Sequence, residues 1–214
     1  FKQNVKRMEF QEYLRLFVEQ VKATTYLEWF AVAFGVVQVL LAKRNNIWLY
    51  PVGIIGILLA LYLKLNGKLY AESLLSMYYL VMSIYGWIIW SKRKAQNKPL
   101  PISWTNRREL QTAFSIAIIG YFILYYALVN FTDTDVPIFD AFIASTAWAG
   151  MWLLARRKIE NWIFLNVSNI VAIPLMWHKN YVMFALLMLF YFIIAFFGYF
   201  EWKRIYKKQL GVFN

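Results

Sequence analysis

The chain has 214 residues, 61% of them hydrophobic, 20% aromatic and only 16% charged, with a positive mean hydropathy. Soluble domains run at about 45–50% apolar and about 25% charged, so this composition excludes a soluble fold of this length and identifies an integral membrane protein. The net charge of +12 does not gather in one patch, which argues against a nucleic-acid partner; the basic residues fall between apolar runs, where membrane orientation uses them. There is no cysteine and one histidine, His178, so no disulfide framework, thiolate nucleophile or histidine-based metal cluster is expected.

In chain order, Phe10, Leu14, Phe17, Val18 and Val21 repeat at helical spacing among charges, which predicts an amphipathic surface helix within residues 1–25. That segment is charged throughout, so it is not expected to be a cleavable signal peptide. Seven apolar runs of spanning length follow, near 26–43, 46–65, 69–91, 110–131, 137–156, 159–178 and 181–203. A basic link occupies 92–109 and a basic tail 205–214. The segments 43–44, 92–109, 156–158 and the C-terminus hold fifteen Lys and Arg, against eight in the N-terminal helix and the alternate links. The bias predicts a cytoplasmic C-terminus and an external N-terminus.

The chain also resembles itself. "LLAKR" at 40–44 matches "LLARR" at 153–157, "SLL" at 73–75 falls on "ALL" at 185–187, and "IYGWIIW" at 84–90 lines up with "FFGYFEW" at 196–202, with one single-residue gap. In that alignment Gly53 and Gly56 occupy the positions of Asn166 and Asn169. Three crossings reverse direction, so one additional helix, 110–131, restores it. The predicted fold is all-α and integral to the membrane: two parallel three-helix repeats, 26–91 and 137–204, joined by one linker helix in a 3+1+3 order. Such repeats frame a central path in transporters, with the solute near the midplane.

None of the eleven carboxylates lies mid-helix, and neither does any Lys or Arg. Proton relays and cation-coupled sites need such groups, so passive downhill movement is expected. The polar residues that remain are neutral. In "ENWIFLNVSN" (160–169), Trp162, Asn166 and Asn169 stand at i, i+4 and i+7 on one helical face. Ser145, Trp148 and Trp152 share a face of the preceding run, and Gln38 is the mid-helix amide of the first repeat. Amides of this kind glue transmembrane helices together, or they hydrogen-bond a solute that stacks on Trp. Pro51 and Pro174 are candidate hinges, since proline removes a backbone hydrogen bond. A heptahelical receptor and a membrane enzyme are the rival classes. The first lacks a mid-membrane lysine and docking loops; the second lacks an acid–base pair or metal site.

"RRKIENWIFLNVSN" and "LYAESLLSMYYLVMSIYGWIIW" resemble the PnuC family of bacterial vitamin transporters over residues 26–204. The resemblance implies a SWEET-like architecture in the bacterial inner membrane. It also implies facilitated diffusion of nicotinamide riboside by alternating access, with uptake trapped by a cytoplasmic riboside kinase. Thiamine, riboflavin, or another nucleoside or sugar is the alternative cargo. The motif points to Glu160, Asn161, Trp162 and Asn169; Tyr85, Gly86, Trp87 and Trp90 match the second motif. Leu165 stands where the family carries a second tryptophan, and Trp148 or Trp152 is the expected replacement. No cofactor is implied, and the lipid-facing aromatics of 190–200 suit a homo-oligomer.

Overall fold

A computed structural model describes residues 10–67, 70–95 and 100–211. Segments 1–9, 68–69, 96–99 and 212–214 lie outside the described residues; they include parts of the predicted surface helix, third run, basic link and tail. The described residues form eight helices in order: α1 (Phe10–Ala23), α2 (Tyr26–Lys43), α3 (Leu49–Asn66), α4 (Tyr70–Ala95), α5 (Arg107–Phe131), α6 (Pro137–Ala155), α7 (Asn161–His178) and α8 (Val182–Gln209). Of these, α2, α3, α5, α6 and α8 are long and apolar enough to cross a bilayer.

Local chemistry sets the boundaries. Thr25 and Glu28 form a capping box that opens α2. Asn106 and Glu109 form a second, with Asn106 Oδ1 accepting from Glu109 N at 2.8 Å, so α5 begins a turn before its apolar run. The link 92–109 is correspondingly shorter, because α4 also continues to Ala95. The tail beyond 204 is helical to Gln209: no breaker intervenes before Gly211. Pro137 sits at the first position of α6, where a missing N–H costs nothing. Pro51 likewise falls in the first turn of α3, so it starts that helix and is no hinge; Pro174 lies inside α7.

The helices pack as a closed ring of neighbours. α2 touches α3, α3 touches α4, α4 touches α6, α6 touches α7, α7 touches α8, and α8 returns to α2. α5 lies against the outside of α6, and α1 rests on α8. The amide of Gln20 fastens α1 to the α7–α8 turn, donating to Asn180 O at 2.5 Å and accepting from Met183 N at 2.9 Å. At the same end Lys179 pairs with Asp135 at 3.2 Å and Asp140 at 3.3 Å, joining the end of α7 to the start of α6.

Corresponding turns of the two triplets match at an offset of 112 with no gap. Asn45 and Arg157 both adopt positive φ, at 53° and 56°. Asn46 N and Lys158 N bond Leu41 O and Leu153 O, and Tyr50 N and Trp162 N bond Ile47 O and Ile159 O. This register corrects the gapped alignment: Tyr50 is the counterpart of Trp162, and Gly53 and Gly56 correspond to Leu165 and Ser168 instead of the asparagines. It also shows an exchange of knob and hole. In the first triplet Gln38 of α2 fills the space over Gly53 of α3; in the second, Leu165 of α7 fills the space over Gly150 of α6. Gly86 and Gly198 instead play one role twice, seating the rings of Tyr50 and Trp162.

A Cβ at Gly198 would stand 2.7 Å from the Trp162 ring, and one at Gly86 would overlap Tyr50. Gly198→Ala and Gly86→Ala are each expected to destabilise the fold by about 1–3 kcal/mol through overpacking, read as a lower unfolding temperature in detergent. A Cβ at Gly120 would stand 3.2 Å from Trp148, so Gly120→Ala is expected to cost less. A second expectation concerns Lys179. The Lys179 hydrogen bond, chiefly, holds the Asp135 carboxyl below its ordinary value. Burial pulls the Lys179 ammonium down, but the charge of Asp140 and bonds to both carboxylates outweigh it, leaving a raised value. The depressed carboxyl stabilises above its unfolded value of about 3.9 and stops doing so as pH falls; the raised ammonium stabilises below about 10.4 and stops as pH rises. The unfolding-temperature difference between wild type and Lys179→Met is therefore expected to be level from about pH 5 to about pH 9 and to shrink below about pH 4.

Candidate functional site

The "ENW" motif opens α7 at the end of the ring that carries the basic links. Glu160 reaches back to the segment before α5, its Oε1 accepting from Thr105 N at 2.8 Å and Thr105 Oγ1 at 2.5 Å. Asn161 is fully buried and closes the α6–α7 turn, donating from Nδ2 to Lys158 O at 2.6 Å. Trp162 is 1% exposed, seated over Gly198 and edge-on to Trp202 with ring centroids 5.6 Å apart. Its Nε1 has no protein hydrogen-bond partner. In this conformation Glu160 and Asn161 hold the turn, and Trp162 is closed off against Gly198 and Trp202 of α8.

Further along the stripe the asparagines are less enclosed. Asn166 and Asn169 are both half-buried, and Asn166 Oδ1 is buried without a protein partner. The glue between α6 and α7 is a different residue, Ser168, whose hydroxyl donates to Ile143 O at 2.8 Å. That leaves the amides of Asn166 and Asn169 with no part in the hydrogen bond joining these helices. Gln38 is half-buried on α2, lodged over Gly53.

The second face divides from the first. Trp148 stacks on Tyr78 of α4 at 4.3 Å and 19°, with Tyr78 Oη donating to Trp148 O at 3.1 Å. Its other neighbour is Gly120 of α5. Trp152 lies under the Arg156 guanidinium at 5.2 Å. Trp148 and Trp162 thus belong to separate clusters, one at the α4–α5–α6 contact and one at the basic end. The reason is angular: Ser145 and Trp148 face α5, whereas α7 packs on the side of Gly150 and Ile143. A cleft of about 540 Å³ lies between α5, α6 and α7, lined by Phe114, Tyr121, Phe142, Phe164 and Val167 among others. It takes in neither amide of the stripe, and its apolar wall suits acyl chains.

At the basic end Tyr50, Trp202 and Arg157, none of them a candidate from the sequence, join Trp90 and Trp162. Tyr50, Trp90, Trp162 and Trp202 form one buried aromatic cluster, with Tyr50 edge-on to Trp90 at 5.1 Å. Arg157 covers Trp90 at 3.9 Å and donates to Leu100 O. Burial lowers its guanidinium to about 10, which still leaves it charged at neutral pH. Ser103 pairs with Lys158 as an isolated parallel bridge, so the segment before α5 rides on the α6–α7 turn. The ungapped register of "IWLYP" against "IENWI" would have singled out Tyr50.

A ring of apolar helices with neutral amides on one stripe defines a helical membrane transport protein. The chain belongs to the nicotinamide mononucleotide transporter family, whose profile matches residues 25–204. It is 24% identical over 174 residues to the nicotinamide riboside transporter PnuC of Escherichia coli K12, spanning 70% of this chain and 73% of that one; the Shigella flexneri protein of the same name matches equally. The crystal structure of the vitamin B3 transporter PnuC shares the fold, with a TM-score of 0.69 and 20% identity over 92% of this chain and 89% of that one.

Within one motif Asn161 holds a turn, while Asn166 carries an amide oxygen without a partner among the described residues. Asn161→Ala removes a buried hydrogen bond and is expected to lower stability by about 1–2 kcal/mol, read by thermal unfolding, with solute affinity kept. Asn166→Ala is expected to do the reverse.

Proposed function

We propose that the protein is a passive carrier for nicotinamide riboside, taking it across the bacterial inner membrane into the cytoplasm by alternating access. The observation that carries this reading is the neutral stripe of α7: Asn166 and Asn169 half-buried, one amide oxygen buried without a protein partner, and no charged side chain between them and the helix ends. Amides suit the hydroxyls and carboxamide of a riboside, and an aromatic ring accommodates its pyridinium without a carboxylate. The contact pattern supports two three-helix repeats, α2–α4 and α6–α8, with α5 as the linker outside the ring; in this reading α4 and α7 span together with the five apolar helices. The exchange of neighbours, α2 with α6, α3 with α7 and α4 with α8, leaves the list of ring contacts unchanged. The charge bias puts the basic end, with the C-terminus, in the cytoplasm and α1 outside.

Substrate-binding roles go to Asn169 and Asn166 first, with Gln38, lodged over Gly53, as the amide of the other repeat and Trp162 joining when α8 shifts. Trp148 and Trp152 stand at a greater remove, at the α4–α6 seam and under Arg156. Nothing cationic lies mid-membrane to meet a phosphate, which favours the riboside over its mononucleotide. Proteoliposomes are expected to take up radiolabelled nicotinamide riboside down its gradient, unaffected by ionophores, and to exclude the mononucleotide. Asn169→Ala is expected to remove riboside binding measured by calorimetry while the unfolding temperature stays within a few degrees. Uptake that collapses with ionophores, or wild-type affinity in the Asn169 variant, overturns the reading.

A further inference from the structure

The two triplets are tied together at the basic end by a pair of hydrogen bonds whose donors the internal repeat relates and whose acceptors stand one residue out of that register. Trp90 Nε1, in α4, donates to Ala155 O at the end of α6 at 3.0 Å. Trp202 Nε1, in α8, donates to Ala42 O near the end of α2 at 2.9 Å. Each bond runs from the third helix of one triplet to the first helix of the other, and both indoles are buried. Above them, Gly86 and Gly198 seat the rings of Tyr50 and Trp162, closing the cluster across the seam. We infer that this reciprocal pair of indole–carbonyl bonds is the cytoplasmic gate of the carrier, and that the gate parts along the α2–α8 seam.

The choice of seam follows from what else crosses each one. At α4–α6, Arg157 covers Trp90, Tyr78 stacks on Trp148, and Tyr78 Oη adds a further bond to Trp148 O. At α2–α8 the counterpart of Tyr78 at the repeat offset is Phe190, which has no hydroxyl to donate. Lys43 lies 5.1 Å from the Phe197 ring there, a longer and weaker version of the Arg157 contact. With the Trp202 bond broken, α2 and α8 keep apolar contact and the Tyr191 hydroxyl of α8 set against Gly35 of α2, which water and a solute can part. The polar atoms behind the gate fit an opening of this kind: Tyr50 Oη, Ser83 Oγ and Trp162 Nε1 are buried with no protein partner. Parting the seam gives them water.

This inference rests on the carrier reading, and its test does not depend on which solute is carried. The chain has no native cysteine, so one introduced thiol reports alone. Ser83 is 0% exposed and shares the α4 face of Gly86 and Trp90, at i, i+3 and i+7, and Ser83→Cys is nearly isosteric. In inside-out vesicles, Ser83→Cys is expected to react slowly with a membrane-impermeant maleimide. Adding Trp202→Phe, which keeps a ring but removes the N–H, is expected to speed labelling on the order of threefold to tenfold, the effect of one buried hydrogen bond. Adding Trp90→Phe is expected to do less, since Arg157 and Tyr78 still hold that seam. Labelling from the external side is expected to stay slow in both. Unchanged labelling in the variant carrying both Phe substitutions overturns the gate; an equal or larger response to Trp90→Phe overturns the choice of seam. If that double substitution does not assemble, the two single substitutions carry the test, with no response in either counting against the gate. Riboside uptake by wild type with unchanged labelling sinks the gate alone, and altered labelling without riboside uptake sinks the cargo alone.

Discussion

The last carbonyls of a helix have no partner within that helix, and in an apolar surrounding they need a donor from elsewhere. Here the carbonyl of Ala155 receives its donor from the opposite half of the molecule, through Trp90, and that of Ala42, which also accepts from Asn45 N at 2.9 Å, receives a second donor through Trp202. These two bonds join the triplets at the basic end. The rings that bring the donors in also fill the space between the halves, so the same residues satisfy the backbone and close the end of the ring. An indole suits both tasks, being a large apolar surface with one donor at its edge.

The two halves share this frame and differ in how they fill it. Where the first triplet puts a large residue, Gln38, on its first helix and a glycine, Gly53, on its second, the other triplet reverses the sizes with Gly150 and Leu165. Volume at the contact is roughly conserved while its chemistry is not: one half offers an amide there and the other an aliphatic chain. Leu165 therefore fills a hole in α6 and keeps α7 close to it. The asymmetry of the seams has the same origin, since one tyrosine hydroxyl is present on α4 and absent from its partner on α8.

A neutral lining also constrains mechanism. Among the described residues no carboxylate, lysine or arginine lies mid-helix in the spans, where proton relays carry such groups. In the passive carrier proposed here, direction comes from the concentration gradient and selectivity from shape and hydrogen bonding. The fixed charges sit at the two ends, where Lys179 with its two carboxylates and Glu109 with Lys158 fasten turns to their neighbours.

Much of this was legible in the chain itself. The apolar runs, the amphipathic first helix, the internal similarity and the polar stripe of α7 depend on composition and periodicity, which are local properties. Helix ends shifted where a capping box or an unbroken polar continuation outweighed hydropathy, as at Asn106 and beyond Arg204. Other features waited on the tertiary structure. Whether Trp162 meets solute or Trp202, whether Trp148 joins it, and which register relates the halves are decided by contacts between helices far apart in sequence. A gapped match of "LLAKR" to "LLARR" looked better letter by letter, yet the turns superpose without the gap, because backbone geometry and not side-chain identity sets where a helix can reverse. The sequence determined which residues are polar and on which face; only packing decided which of those faces look inward and which hold the protein together.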